Sequence, residues 1–166
     1  MLFNAFVLAR LAGMDARIGL PSRGFGDHRL TVLPCAGKHS LRIRDWDALK
    51  EYVHAGGAAY LSYRGFQFPE QNEFFGIETL TRKKERAGSE TGRFTGTERC
   101  PAGEFAYTRD DEWRLIVKPR AATVIATDSS GTPLVLENRF GKGKTFLVTE
   151  PMELYLSRMP DVFPDN

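Results

Sequence analysis

Residues 30–65 read LTVLPCAGKHSLRIRDWDALKEYVHAGGAAYLSYRG, and the alternation of element types within them decides the expected fold. Leu30–Leu33 is a short apolar run of strand type closed by Pro34. Ser40 and Asp45 are both candidate N-caps for the element that follows. From Trp46 to His54 the period changes to helical: Trp46, Leu49 and Val53 share one face, and Asp47, Lys50 and Glu51 the other. Gly56-Gly57 stops that helix, and Ala58–Tyr63 follows at once as a second strand. A strand, a helix and a strand in this order form a βαβ unit, since a tight hairpin cannot join parallel strands. The expectation is an open, mainly parallel α/β sheet.

Upstream, Phe3, Phe6, Val7 and Leu11 recur at helical spacing, and Gly13 supplies a stop; Ala16–Leu20 then resembles a short strand. An open α/β domain ordinarily begins with a strand, so a chain that opens inside a helix suggests a fragment of a longer protein. Downstream, residues 66–112 show weak periodicity and read as a loop-rich insertion with strand fragments and a short helix near Phe74-Phe75. Residues 113–166 read as β hairpins and a terminal helix. Trp113–Val117, Thr123–Thr127, Leu134–Glu137 and Thr145–Val148 are the strands, with turns at Asp128–Gly131 and Gly141–Gly143. Pro151 suits the first position of the last helix.

The chain has 166 residues, 42% hydrophobic and 27% charged, with a formal net charge of +2. That apolar content excludes a disordered chain, and the length suits one domain over residues 1–166. Its apolar runs fall short of the ~20 residues that cross a bilayer as a helix. Two cysteines do not make a disulfide scaffold, and the positive residues are scattered apart from Arg82, Lys83, Lys84 and Arg86. Neither a nucleic acid nor a membrane is therefore an expected partner, no signal peptide is visible, and a cytoplasmic location follows.

Chemical motifs are sparse. Gly141-Lys142-Gly143-Lys144-Thr145 ends like a phosphate loop, yet Asn138 stands where the first glycine belongs and a β-type run follows it. His28, His39 and His54 lie far apart with no ligand spacing, so neither a metal nor a cofactor is expected. Cys35 lies at a strand end, where α/β sheets place reactive groups, but Pro34 and Ala36 flank it instead of elbow glycines. Cys100 precedes Pro101 in a loop. Glu150 and Glu153 flank Pro151-Met152, and Asp110, Asp111 and Glu112 form an acidic run; convergence of either group is not legible in sequence.

Taken together, LTVLPCA (30–36), WDALKEYVHAGG (46–57), YLSYRG (60–65), FFGIE (74–78) and ENRFGKGKTFLVTEPMELY (137–155) resemble the glutamine-amidotransferase-like domain beside the catalytic barrel of several glycoside hydrolases. The β-galactosidase trimerisation domain is a relative of that kind. The resemblance implies a flavodoxin-like core with helices on both faces of the sheet and a C-terminal antiparallel β extension. It also implies lost chemistry: true amidotransferases carry a glycine-flanked Cys and a late His-Pro-Glu, whereas this chain reads Thr149-Glu150-Pro151 and has no histidine after His54.

The expectation is accordingly a non-catalytic accessory or oligomerisation domain, partnered by a catalytic barrel of the same protein or by further copies of itself, with carbohydrate as a further partner. Tyr63, Arg64, Phe66, Phe68, Phe74 and Phe75 are candidates for an interface or cleft, because they crowd a loop after a strand. Cys35, Ala36 and Glu150 are candidates for a residual pocket. The alternatives are a divergent amidotransferase-like hydrolase using Cys35, activated by His39, and a sugar-sensing domain.

Overall fold

A computed structural model describes residues 2–26, 28–37, 40–96, 101–109 and 112–156. The opening helix forms as α1 (Leu2–Leu11). Ala16–Leu20 joins no strand ladder; a 3-10 turn, Pro21–Arg23, follows it. β1 spans Leu30–Ala36, α2 Ile43–His54 and β2 Ala58–Tyr63. The N-cap of α2 is Arg42 instead of Ser40 or Asp45. Asp45, at the third helical position, accepts the Arg42 N–H at 3.3 Å, which satisfies a donor that the helix itself leaves open.

The stretch read as loop-rich holds α3 (Gln71–Phe75), β3 (Ile77–Lys84), β4 (Gly88–Phe94) and β5 (Gly103–Arg109). Then come β6 (Trp113–Pro119), β7 (Thr123–Asp128), β8 (Pro133–Phe140), β9 (Gly143–Val148) and α4 (Met152–Leu156).

Seven strands form one curled sheet in the order β1-β2-β9-β8-β7-β4-β5, and β3 and β6 pair in a separate antiparallel ribbon. Only β1, β2 and β9 are parallel neighbours; β8, β7, β4 and β5 continue the sheet antiparallel. The expected mainly parallel, flavodoxin-like sheet with helices on both faces is overturned. The chain is mostly β, with a mixed half-barrel sheet and few helices. The physical reason lies in β3, β4 and β5. Apart from Leu80 and Ala106 their exposed residues are Thr, Ser, Arg, Lys, Glu and Gly, and β3 and β4 lack the apolar alternation by which a half-buried strand is recognised.

The main core lies between α2, α3 and one face of β2, β9 and β8. Trp46 is fully buried there, stacked on Phe68 at 4.6 Å and edge-on to Phe74 at 4.7 Å, with Leu49, Val53, Leu61 and Leu147 around it. Its indole N–H donates to the Pro69 carbonyl at 2.9 Å, so the ring is buried without an orphaned donor. A smaller cluster of Tyr107, Ala126 and Leu134 packs with Met152 and Leu154 of α4. It holds that helix against the far side of the sheet.

Candidate functional site

The parallel strands β1, β2 and β9 end on the same side of the sheet, and α4 starts immediately after β9. This edge gathers two buried carboxylates three residues apart, Glu150 and Glu153. At its centre, β1 loses register between Leu33 and Ala36, and Cys35 turns into the left-handed region with φ of 50°. The displaced Cys35 N–H donates to Ser62 Oγ at 2.5 Å, which replaces the backbone partner lost at the irregularity. Ser62 in turn donates to Glu153 Oε2 at 2.7 Å, the Tyr60 hydroxyl donates to Glu153 Oε1, and the Cys35 thiol lies 3.8 Å from Glu153 Oε2.

Burial, reinforced by the Glu153 carboxylate, pushes the Cys35 thiol up to about 11. The same two causes raise the Tyr60 hydroxyl well above its ordinary value. At neutral pH a thiol of that acidity is about one part in 10,000 thiolate, the opposite of an activated nucleophile.

Glu150 is built into a second network. Arg109 Nε donates to Oε2 at 2.9 Å and Nη2 to Oε1 at 3.2 Å, in a two-pronged pair, and the Tyr107 hydroxyl donates to Oε1 at 3.0 Å. Burial alone would lower Arg109, but the Glu150 hydrogen bonds and charge outweigh it and hold the guanidinium above its ordinary value. Arg114 Nε sits 4.0 Å from Glu150 Oε1. Its Nη1 donates to Asp128 at 2.6 Å, and its Nη2 to the carbonyls of Thr132 and Pro133. Burial pushes Asp128 up, yet hydrogen bonds from Ser130, Arg114 and Thr132 prevail and hold its carboxyl below the usual range. Two guanidinium groups and two carboxylates thus neutralise one another beneath the surface.

Among the residues singled out in sequence, Cys35, Ala36 and Glu150 are all buried at this edge. The carboxylate against the Cys35 sulfur is Glu153, not Glu150. Tyr63, Phe66, Phe68, Phe74 and Phe75 are buried in the main core and pack on one another, so they offer no surface to a partner. Arg64 alone of that group is partly exposed, paired with Glu112 at 3.3 Å. His39, Cys100, Asp110 and Asp111 lie outside the described residues.

The glycine-lysine segment 141–145 is the β8–β9 turn and the start of β9. Lys144 pairs there with Glu137 at 2.5 Å, across the hairpin. No group of three or more His, Cys, Asp or Glu suited to a metal ion occurs among the described residues. No helix among them is long and apolar enough to cross a membrane. Sequence reading missed Arg109 and Arg114. Arg114 does leave a trace, as a lone charge inside the apolar run Trp113–Val117, where a buried partner is required.

No family model matches the sequence, and no curated protein matches it. Solved structures match its fold. An exo-β-1,4-mannosidase from Opitutaceae bacterium strain TAV5 is 20% identical with a TM-score of 0.67, over 96% of this chain and 28% of that one. A GH42 β-galactosidase from G. stearothermophilus is 18% identical with a TM-score of 0.57, over 86% of this chain and 22% of its own. A cytoplasmic protein from Salmonella typhimurium LT2 is 12% identical with a TM-score of 0.63, over 89% of this chain and 75% of its own. At these identities the likeness is one of fold. This chain spans about a quarter of each glycoside hydrolase and three quarters of the Salmonella protein, so its fold is a part of two larger enzymes and most of a smaller protein.

Proposed function

We propose that this chain serves as a non-catalytic accessory domain of a carbohydrate-active enzyme, attached to a catalytic domain or assembling with further copies of itself. The observation that carries the reading is the fold match of 96% of the chain to 28% of an exo-β-1,4-mannosidase. A portion of that size is what an appended domain occupies. The chemistry of the strand edge supports the same reading. Cys35 is buried, its thiol is raised to about 11, and its neighbour is a carboxylate that opposes ionisation. The Glu150 carboxylate is held in place by hydrogen bonds from Arg109 and Tyr107, with Arg114 Nε 4.0 Å away, beneath the surface.

The test is turnover by the purified chain on aryl β-galactosides, aryl β-mannosides and glutamine. The expected result is none above buffer. Turnover that disappears in Cys35→Ser or Glu150→Gln would overturn the proposal. Sedimentation analysis of the same sample separates self-assembly from attachment to another domain.

A further inference from the structure

The β3–β6 ribbon stands apart from the large sheet, and an open groove of about 500 Å³ lies between it, β4, β5 and the turn after β7. That volume falls within the roughly 300–1,000 Å³ of small-molecule sites. Among the described residues its charges balance: Lys83, Arg109 and Arg114 line it together with Glu85, Glu90 and Asp128. Lys83 pairs with Glu85 at 3.2 Å and the Ser129 hydroxyl donates to Glu90 at 3.1 Å, while Thr81, Thr132 and Ile116 complete the lining.

Two features of this lining point to a ligand. The floor is the buried network just described, with the Arg109 and Arg114 side chains only 9% and 2% exposed. Buried ion pairs seldom stabilise a fold better than an apolar filling of the same shape. Beneath an open groove the same network fixes donors and acceptors at set positions. The second feature is the balance itself. An anion entering the groove meets Glu85 and Glu90, and a cation meets Lys83, so neither has a net field to follow. A neutral molecule dense in hydroxyls donates to the rim carboxylates Glu85 and Glu90 and accepts from the exposed Lys83 ammonium at once. We infer that this groove is a binding site for a sugar unit, held by hydrogen bonds from both signs of charge. The assignment rests on the accessory-domain reading for its choice of a carbohydrate among neutral polyols. Among the described residues no aromatic ring lines the groove, so stacking adds nothing to the affinity.

The test is a backbone-amide NMR titration of the intact chain. The probes are methyl galactoside, methyl mannoside and a β-linked tetrasaccharide, with sodium sulfate and calcium chloride as ionic comparators. The expected result is a saturable shift of groove amides by at least one sugar and by neither ion, weakened fivefold or more in Glu90→Gln and Ser129→Ala. Both side chains lie on the rim, so an otherwise unchanged spectrum shows that the variants fold. A tetrasaccharide bound tenfold more tightly than the monosaccharides assigns the groove to a chain segment, and equal binding to a single unit; either supports the inference. No saturable sugar shift, a response to sulfate or calcium alone, or sugar binding indifferent to both variants would overturn it. A silent groove in a chain without turnover sinks this inference and leaves the accessory reading standing, whereas turnover sinks that reading whatever the groove does.

Discussion

Removing the Glu150 carboxylate strands the Arg109 guanidinium, which is almost wholly withdrawn from water, and leaves Arg114 with Asp128 as its anion. Arg109 loses both prongs of its pair, and Arg114 loses the anion nearest its Nε. Glu150→Ala is therefore expected to cost about 3–5 kcal/mol of stability in urea unfolding, and Glu150→Gln less, because the amide oxygen still accepts. Cys35 gives a complementary expectation. In a Cys100→Ser background the native thiol should resist a thiol-disulfide reagent at pH 8, then react progressively faster as the pH climbs toward about 11, the folded-state value. Rapid native-state labelling at pH 7 would contradict the placement against Glu153. At this scale the sequence was half legible. Cys35 at a strand end and the Glu150/Glu153 pair stand out as residue types. Their partners are remote in sequence: Ser62 lies 27 residues from Cys35, Tyr60 93 residues from Glu153, and Arg109 41 residues from Glu150, and such pairings exist only after the strands have assembled.

Among the elements, the β8–β9 turn shows how a motif-like string can have a packing origin. A Cβ on Gly143 would sit 2.1 Å from the Gly57 carbonyl oxygen and 2.2 Å from that of Val53. Both are backbone atoms at the C-terminal end of α2 and just beyond it, so β9 reaches its parallel partner β2 only because position 143 has no side chain. Gly143→Ala should consequently destabilise the protein by about 3 kcal/mol, measured as a lower denaturation midpoint with α2 contacts disturbed in the amide spectrum. Lys142→Ala at the exposed tip serves as the neutral comparison. The βαβ unit at 30–63 was legible because α2 switches period sharply between two apolar strands. β3, β4 and β5 were not, because their solvent-facing sides carry the same residue types as a loop. Gly76 illustrates a further hidden constraint: its φ is 64°, and its carbonyl accepts from the N–H groups of Arg120, Ala121 and Ala122, tying the end of α3 to the segment before β7.

For the molecule as a whole, the expected antiparallel extension is no appendage to a mainly parallel sheet: β9 enters beside β2, and β8, β7, β4 and β5 continue the same sheet antiparallel, with few helices to cover it. The resemblance to a domain of glycoside hydrolases was carried by those same segments, and it leads to the right fold neighbours through the wrong sheet. Among the described residues no strand pairs with the outer margin of β1, where Leu30 and Val32 are at least a third exposed. Unpaired margins of this kind recruit other chains. Here Pro34 deletes an amide donor and the irregularity at Cys35 bends the strand. Pro34→Val is expected to raise light scattering and thioflavin fluorescence with protein concentration, with little change in the unfolding midpoint; an unchanged aggregation rate would contradict this. The kink that seats Cys35 over Glu153 thereby has a colloidal consequence: it leaves the lateral border too crooked to template the stacking of one molecule on the next.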